Sequence, residues 1–86
     1  MLELESLLEQ WKSLENHDRN SHLIAVEIIG RTERIFVDHQ ENLLQKSFWF
    51  NFLEITKSPA FLSALELDDD RIRWTEIVFH IMQFTN

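Results

Sequence analysis

The sequence predicts an all-α fold, a compact bundle of about four helices. The chain contains one glycine and one proline, which leaves little of the turn chemistry that an all-β fold needs. Apolar side chains recur at intervals of three and four residues along most of its length, which is the spacing of a helix with one buried face. With 86 residues, we expect a single helical domain that spans residues 1–86.

The first segment has the pattern of an amphipathic helix. Its apolar side chains share one helical face: Leu4, Leu7, Leu8, Trp11 and Leu14. Most of its charged side chains lie away from that face. The polar run NHDRNS, residues 16–21, is expected to end the helix, and Asn20 or Ser21 is then a suitable cap for the next one.

The stretch IIGRTERIFVDHQ, residues 28–40, contains the single glycine, Gly30, and is compatible with either a hairpin turn or a helix. The polar side chains around it keep helical spacing: Glu27, Arg31, Arg34, Asp38, Glu41 and Gln45. The opposite side is largely apolar: Ala25, Ile28, Ile29, Thr32, Ile35, Phe36, His39 and Leu43. These patterns favour one long helix from about residue 21 to residue 46. The many β-branched residues between 23 and 38 keep a hairpin as the alternative.

Beyond residue 46 the polar side of the pattern moves, which predicts a bend or split near residue 47. Ser58 followed by Pro59 predicts the start of a short helix, because Ser caps helices and Pro suits their first position. Three acids, residues 68–70, suit the positive end of a last helix. That last helix is apolar almost all round, so we expect it to be central to the core or shared with another chain.

The composition restricts the classes of function. A net charge of −7 disfavours direct binding to nucleic acid, and the absence of cysteine excludes disulfides. No apolar run reaches the length of a membrane span, and the acidic start differs from a signal peptide, so we expect a cytoplasmic protein. Three Trp and seven Phe exceed the roughly four or five large aromatics that a monomer of this size hides, which predicts a homodimer or a subunit of a complex.

Candidate catalytic and metal-binding residues form no convincing constellation. Arg34 and His39 have a spacing found in some helical ribonucleases, where Arg stabilises charge and His transfers a proton, but on one helix they would point to different sides. Glu76 and His80 share a helical face, yet no further Glu-x-x-His pair accompanies them. The other histidines, at positions 17 and 22, have no partner pattern. We therefore predict no enzyme activity, no cofactor and no metal.

These observations predict a non-enzymatic, acidic protein-interaction module, such as a regulator, an adaptor or an inhibitor of the immunity type. The side chains expected to form its protein interface are apolar: Phe48, Trp49, Phe52, Ile55, Trp74, Phe79 and Met82. The acidic surface would favour a basic partner protein. The alternatives are a small ribonuclease-like domain that uses Arg34 and His39, and an acidic mimic of nucleic acid. The mimic would present a negative field from the following carboxylates: Glu3, Glu5, Glu9, Glu15, Asp68, Asp69 and Asp70.

Overall fold

The computed structural model describes residues 3–15 and 19–86, and every regular element in these ranges is helical. The elements are α1 (Glu3–Lys12), α2 (Arg19–Val37), a 3-10 turn (Glu41–Leu43), α3 (Lys46–Thr56), α4 (Pro59–Ala64) and α5 (Asp68–Thr85). Helix α2 packs against α1, α4 and α5, and α3 packs against α4 and α5. The prediction of an all-α bundle is confirmed.

Helix α1 lies on α2 through the apolar face that its sequence defines. Leu4, Leu8 and Trp11 are buried, and the ring of Trp11 meets that of Phe61 edge to face, with centroids 5.1 Å apart. At the rim of this contact, Arg31 of α2 forms an ion pair with Glu3 at 2.8 Å. Apolar burial supplies most of the stability of such a contact, because exposed ion pairs contribute little.

Helix α2 runs through Gly30 without interruption, so the helix, and not the hairpin, is correct. Its predicted apolar side faces the core, where Ala25, Ile28 and Ile29 are at most 1% exposed. The prediction of a cap at Asn20 or Ser21 is wrong, because the helix already includes both residues. Because α2 begins at Arg19, Ser21 lies inside the helix, where it is 1% exposed.

The predicted extension of α2 to residue 46 is also wrong, since the helix ends at Val37. His39 adopts a positive φ of 54°, and the amides of His39 and Gln40 donate to the carbonyls of Phe36 (3.2 Å) and Ile35 (2.9 Å). This pair of hydrogen bonds is the Schellman arrangement that closes many helices. The break between α2 and α3 therefore covers residues 38–45 rather than a bend near 47.

The second half of the chain closes the bundle. Trp49 of α3 is fully buried, and its indole Nε1 donates to the carbonyl of Glu41 at 3.0 Å. The predicted start of α4 is confirmed, because Ser58 Oγ accepts from the amide of Phe61 at 3.3 Å and Pro59 occupies the first turn. His22 links α2 to α4 by donating from Nδ1 to the carbonyl of Ala64 at 2.8 Å.

Candidate functional site

The residues predicted to form a protein interface are divided between the interior and the surface. Trp49 and Phe52 are 0% and 1% exposed, so they belong to the core and cannot contact a partner of the folded chain. Phe48, Ile55 and Trp74 are partly buried against the same core. The reason is that α3 packs against both α4 and α5, which covers most of its aromatic surface.

The outer face of α5, which we define as Ile72, Phe79 and Met82, lies open to solvent. These three side chains are 57%, 60% and 47% exposed, respectively. Spacings of seven and three residues place them along one side of the helix. The opposite side of α5 packs into the bundle through Ile77, Val78 and Ile81. Phe79 and Met82 are among the predicted interface residues, and Ile72, seven residues before Phe79, belongs to the same exposed face.

The aromatic side chains are better buried than the composition suggests. Trp11, Trp49, Phe52 and Phe61 are buried, which matches the number expected of a monomer. Four more are partly buried: Phe36, Phe48, Trp74 and Phe84. The aromatic surplus at the surface therefore consists of two residues, Phe50 (54% exposed) and Phe79.

A groove of about 730 Å³ is lined by residues from the C-terminal half of α2, from α5 and from the segment between α2 and α3. Its apolar walls include Phe36, Val37 and Ile77. Its remaining lining is polar or glycine: Gly30, Glu33, Arg34, His39, Glu41, Arg73, Glu76 and His80. The prediction that Arg34 and His39 lie on different sides is wrong, because α2 ends before His39 and both residues line this groove.

Two of the residues that line the groove, Glu33 and Arg73, belong to an ion-pair cluster. Arg73 of α5 donates from Nε and Nη2 to the two carboxylate oxygens of Glu33 on α2, at 2.9 and 2.6 Å. Its Nη1 donates to Asp70 Oδ1 at 3.2 Å, and Asp70 is buried. The hydrogen bonds that Arg73 donates to Glu33 raise the pKa of Arg73 above its ordinary value, so the guanidinium remains a cation.

His80 connects the groove to the outer face of α5. Its ring stacks on Phe36, with centroids 5.7 Å apart, and meets Phe79 edge to face at 6.5 Å. Glu76 lines the groove one turn before His80. Within residues 3–15 and 19–86, no three His, Asp or Glu side chains come together as a metal-binding group, and His17 lies outside the described residues.

The chain was compared with protein-family models, curated proteins and solved structures, and none of them matches it. Among the described residues, no helix has the length and apolar character needed to cross a membrane. The fold and the surface thus define a small all-α bundle with an exposed apolar helix face beside a polar groove.

Proposed function

We propose that this chain is a non-enzymatic protein-interaction module that binds a basic partner protein through the outer face of α5. The observation that carries the proposal is the alignment of Ile72, Phe79 and Met82 on one exposed side of a helix whose opposite side packs into the bundle. Single exposed apolar residues are normal, but an aligned set is typical of a helix that packs against another protein.

The charge of the chain supports a basic partner rather than a second copy. Each chain carries a net charge of −7, so two copies repel each other, whereas a basic protein is attracted over long distances. The partner would cover the apolar face and thereby supply most of the affinity, while the net negative charge of the chain increases the rate of association. A cytoplasmic regulator, adaptor or inhibitor has this combination of features.

Affinity capture with paired variants tests the proposal. The full chain, a Phe79→Ser/Met82→Ser variant and a Phe50→Ser control are used as baits in the native host, followed by mass spectrometry and light scattering of the purified complexes. Phe50 is a matched control, because it is an aromatic residue of similar exposure on α3. We expect a stoichiometric basic protein with the wild type and the control, and its loss with the double variant. A strictly monomeric chain that captures nothing, or equal capture by all three baits, contradicts the proposal.

A ribonuclease-like activity is the second candidate, and one observation favours it. Arg34 and His39 line the same groove, together with His80. Against it, the lining also holds Glu33, Glu41 and Glu76, and three carboxylates beside two arginines give RNA no net attraction. Cleavage of RNA by the purified protein, abolished in His39→Ala, would favour this candidate over the interaction module.

The third candidate, an acidic mimic of nucleic acid, has less support. A mimic needs carboxylates that remain unpaired, but Glu3 pairs with Arg31 at 2.8 Å and Asp70 pairs with Arg73 at 3.2 Å. Competition by double-stranded DNA or RNA for the captured partner would distinguish the mimic from a module that binds through α5.

A further inference from the structure

The groove between α2 and α5 contains carboxylates that the chain itself does not neutralise. Both arginines of the lining are already engaged, Arg73 with Glu33 and Asp70, and Arg34 with Asp38 at 3.8 Å. In the part of the chain that the structure describes, neither Glu41 nor Glu76 forms an ion pair. The groove therefore combines aromatic and aliphatic walls with two unpaired negative charges.

Glu41 is the more unusual of the two glutamates. Its Oε2 is shielded from solvent and accepts no hydrogen bond from any described residue. A shielded carboxylate oxygen that lacks a protein donor destabilises the folded chain, because a buried acceptor without its hydrogen bond loses solvation without compensation. Glu41 as a whole is only partly buried, and it belongs to the lining of the groove.

We propose that the groove binds an arginine side chain of the basic partner, with the guanidinium donating to Glu41 and Glu76. The inference rests on the proposed function and names the chemistry of the partner at a second contact. The aliphatic part of the arginine would lie along Phe36 and Val37, as long cationic side chains do on apolar surfaces. Arginine fits better than lysine, since its planar fork can donate to two carboxylates and stack beside the ring of His80.

The groove and the outer face of α5 can be occupied by one partner. The rings of His80, which lines the groove, and Phe79, which belongs to the outer face, are 6.5 Å apart. A partner helix or loop that covers Phe79 therefore passes beside the groove opening. An arginine next to the partner's apolar contact residues would enter the groove without a second binding event.

Nuclear magnetic resonance of the full ¹⁵N-labelled chain tests the inference with Nα-acetyl-arginine amide as the probe. Nα-acetyl-citrulline amide has nearly the same shape without the charge, and sodium chloride is added to match the ionic strength. We expect saturable shifts of groove amides (residues 36–41 and 76–80) and of the Trp49 indole N–H, which bonds to the carbonyl of Glu41. The citrulline probe should cause none of these saturable shifts.

Matched variants identify the acceptor. Glu41→Gln should weaken binding of the arginine probe roughly tenfold, because it removes a charged acceptor. Glu54→Gln removes the same charge from an exposed position of α3 outside the groove and should change the affinity by less than about twofold. If Glu41→Gln fails to fold, Glu76→Gln replaces it, with the same expectation.

The outcomes separate this inference from the proposed function. No saturable groove shift in the wild type, equal shifts with citrulline, or unchanged affinity in the groove variants would overturn the arginine site. Capture of a partner that depends on Phe79 and Met82 would then still support the interaction module. Saturable binding that is lost in Glu41→Gln supports the site even if the partner escapes capture.

Discussion

Arg73 and Glu33 form a two-pronged ion pair that joins α5 to α2, with donor–acceptor distances of 2.9 and 2.6 Å. The same guanidinium also satisfies the buried carboxylate of Asp70. Arg73 and Glu33 both line the groove, so their contact joins the two helices that form its walls. A bidentate pair of this kind is more specific in geometry than an ordinary surface ion pair.

Removal of the arginine should destabilise the fold more than removal of its surface partner. Arg73→Met leaves Asp70 buried without a donor, and we expect a loss of about 2 kcal/mol in the free energy of unfolding. Glu33→Gln should cost less than about 1 kcal/mol, because Glu33 is partly exposed. Urea denaturation of both variants and of the double variant measures the coupling. A coupling energy near zero would show that the interaction between Arg73 and Glu33 does not stabilise the folded chain.

Gly30→Ala should stabilise the chain by up to ~1 kcal/mol. Gly30 lies inside α2, and glycine is a poorer helix former than alanine. The nearest atom to an added Cβ is Arg73 Nη2 at 3.9 Å, an ordinary contact with a flexible side chain. Thermal and urea unfolding measure the change, and a clear loss of stability would contradict a continuous, uncrowded helix at this position.

His39→Gly should also stabilise the chain, by about 1 kcal/mol. The positive φ of His39 is unfavourable for residues with a Cβ, whereas glycine accepts it freely. The matched control is Gln40→Gly, one residue later, where φ is −109° and glycine brings no such relief. Equal effects of the two changes in urea denaturation would contradict the helix end described for α2.

Two tryptophans should respond differently to the same replacement. Trp49→Phe removes the donor to the Glu41 carbonyl, while Trp74→Phe removes a buried Nε1 that has no acceptor among the described residues. We expect Trp49→Phe to cost at least ~1 kcal/mol more, because it leaves a carbonyl unsatisfied and Trp74→Phe relieves an unpaired donor. Equal losses in the free energy of unfolding, measured by chemical denaturation, would contradict the conclusion that, of these two indoles, only that of Trp49 has an acceptor among the described residues.

The regular part of the fold could be predicted from local patterns. Charge pairs four residues apart, such as Glu27 with Arg31, indicated a helix through Gly30, and the structure contains this pair at 3.5 Å. Ser58 and Pro59 predicted the start of α4, because a serine side chain can cap a helix and proline suits its first turn. These signals are readable because they depend on neighbours within one or two turns.

The end of α2 and the groove could not be predicted in the same way. Helices often end at a glycine with positive φ, but here His39 takes that conformation. The sequence therefore contains no glycine that would predict the end of the helix. The groove depends on how α2 and α5 pack, which brings Arg34 and His80 to one surface from distant positions in the chain. The burial of Trp49 and Phe52 could not be predicted either. When a helix is apolar nearly all round, its sequence does not show which side packs against the core.

Site-specific photocrosslinking tests the central claim, that the outer face of α5 contacts a partner protein, most directly. p-Benzoylphenylalanine replaces Phe79 or, as the control, Phe50 in the native host, and both positions accept it because their side chains are exposed. After irradiation, we expect one dominant crosslinked basic protein with position 79 and little or none with position 50. The absence of a crosslink at position 79, or equal crosslinking at both positions, would contradict the claim.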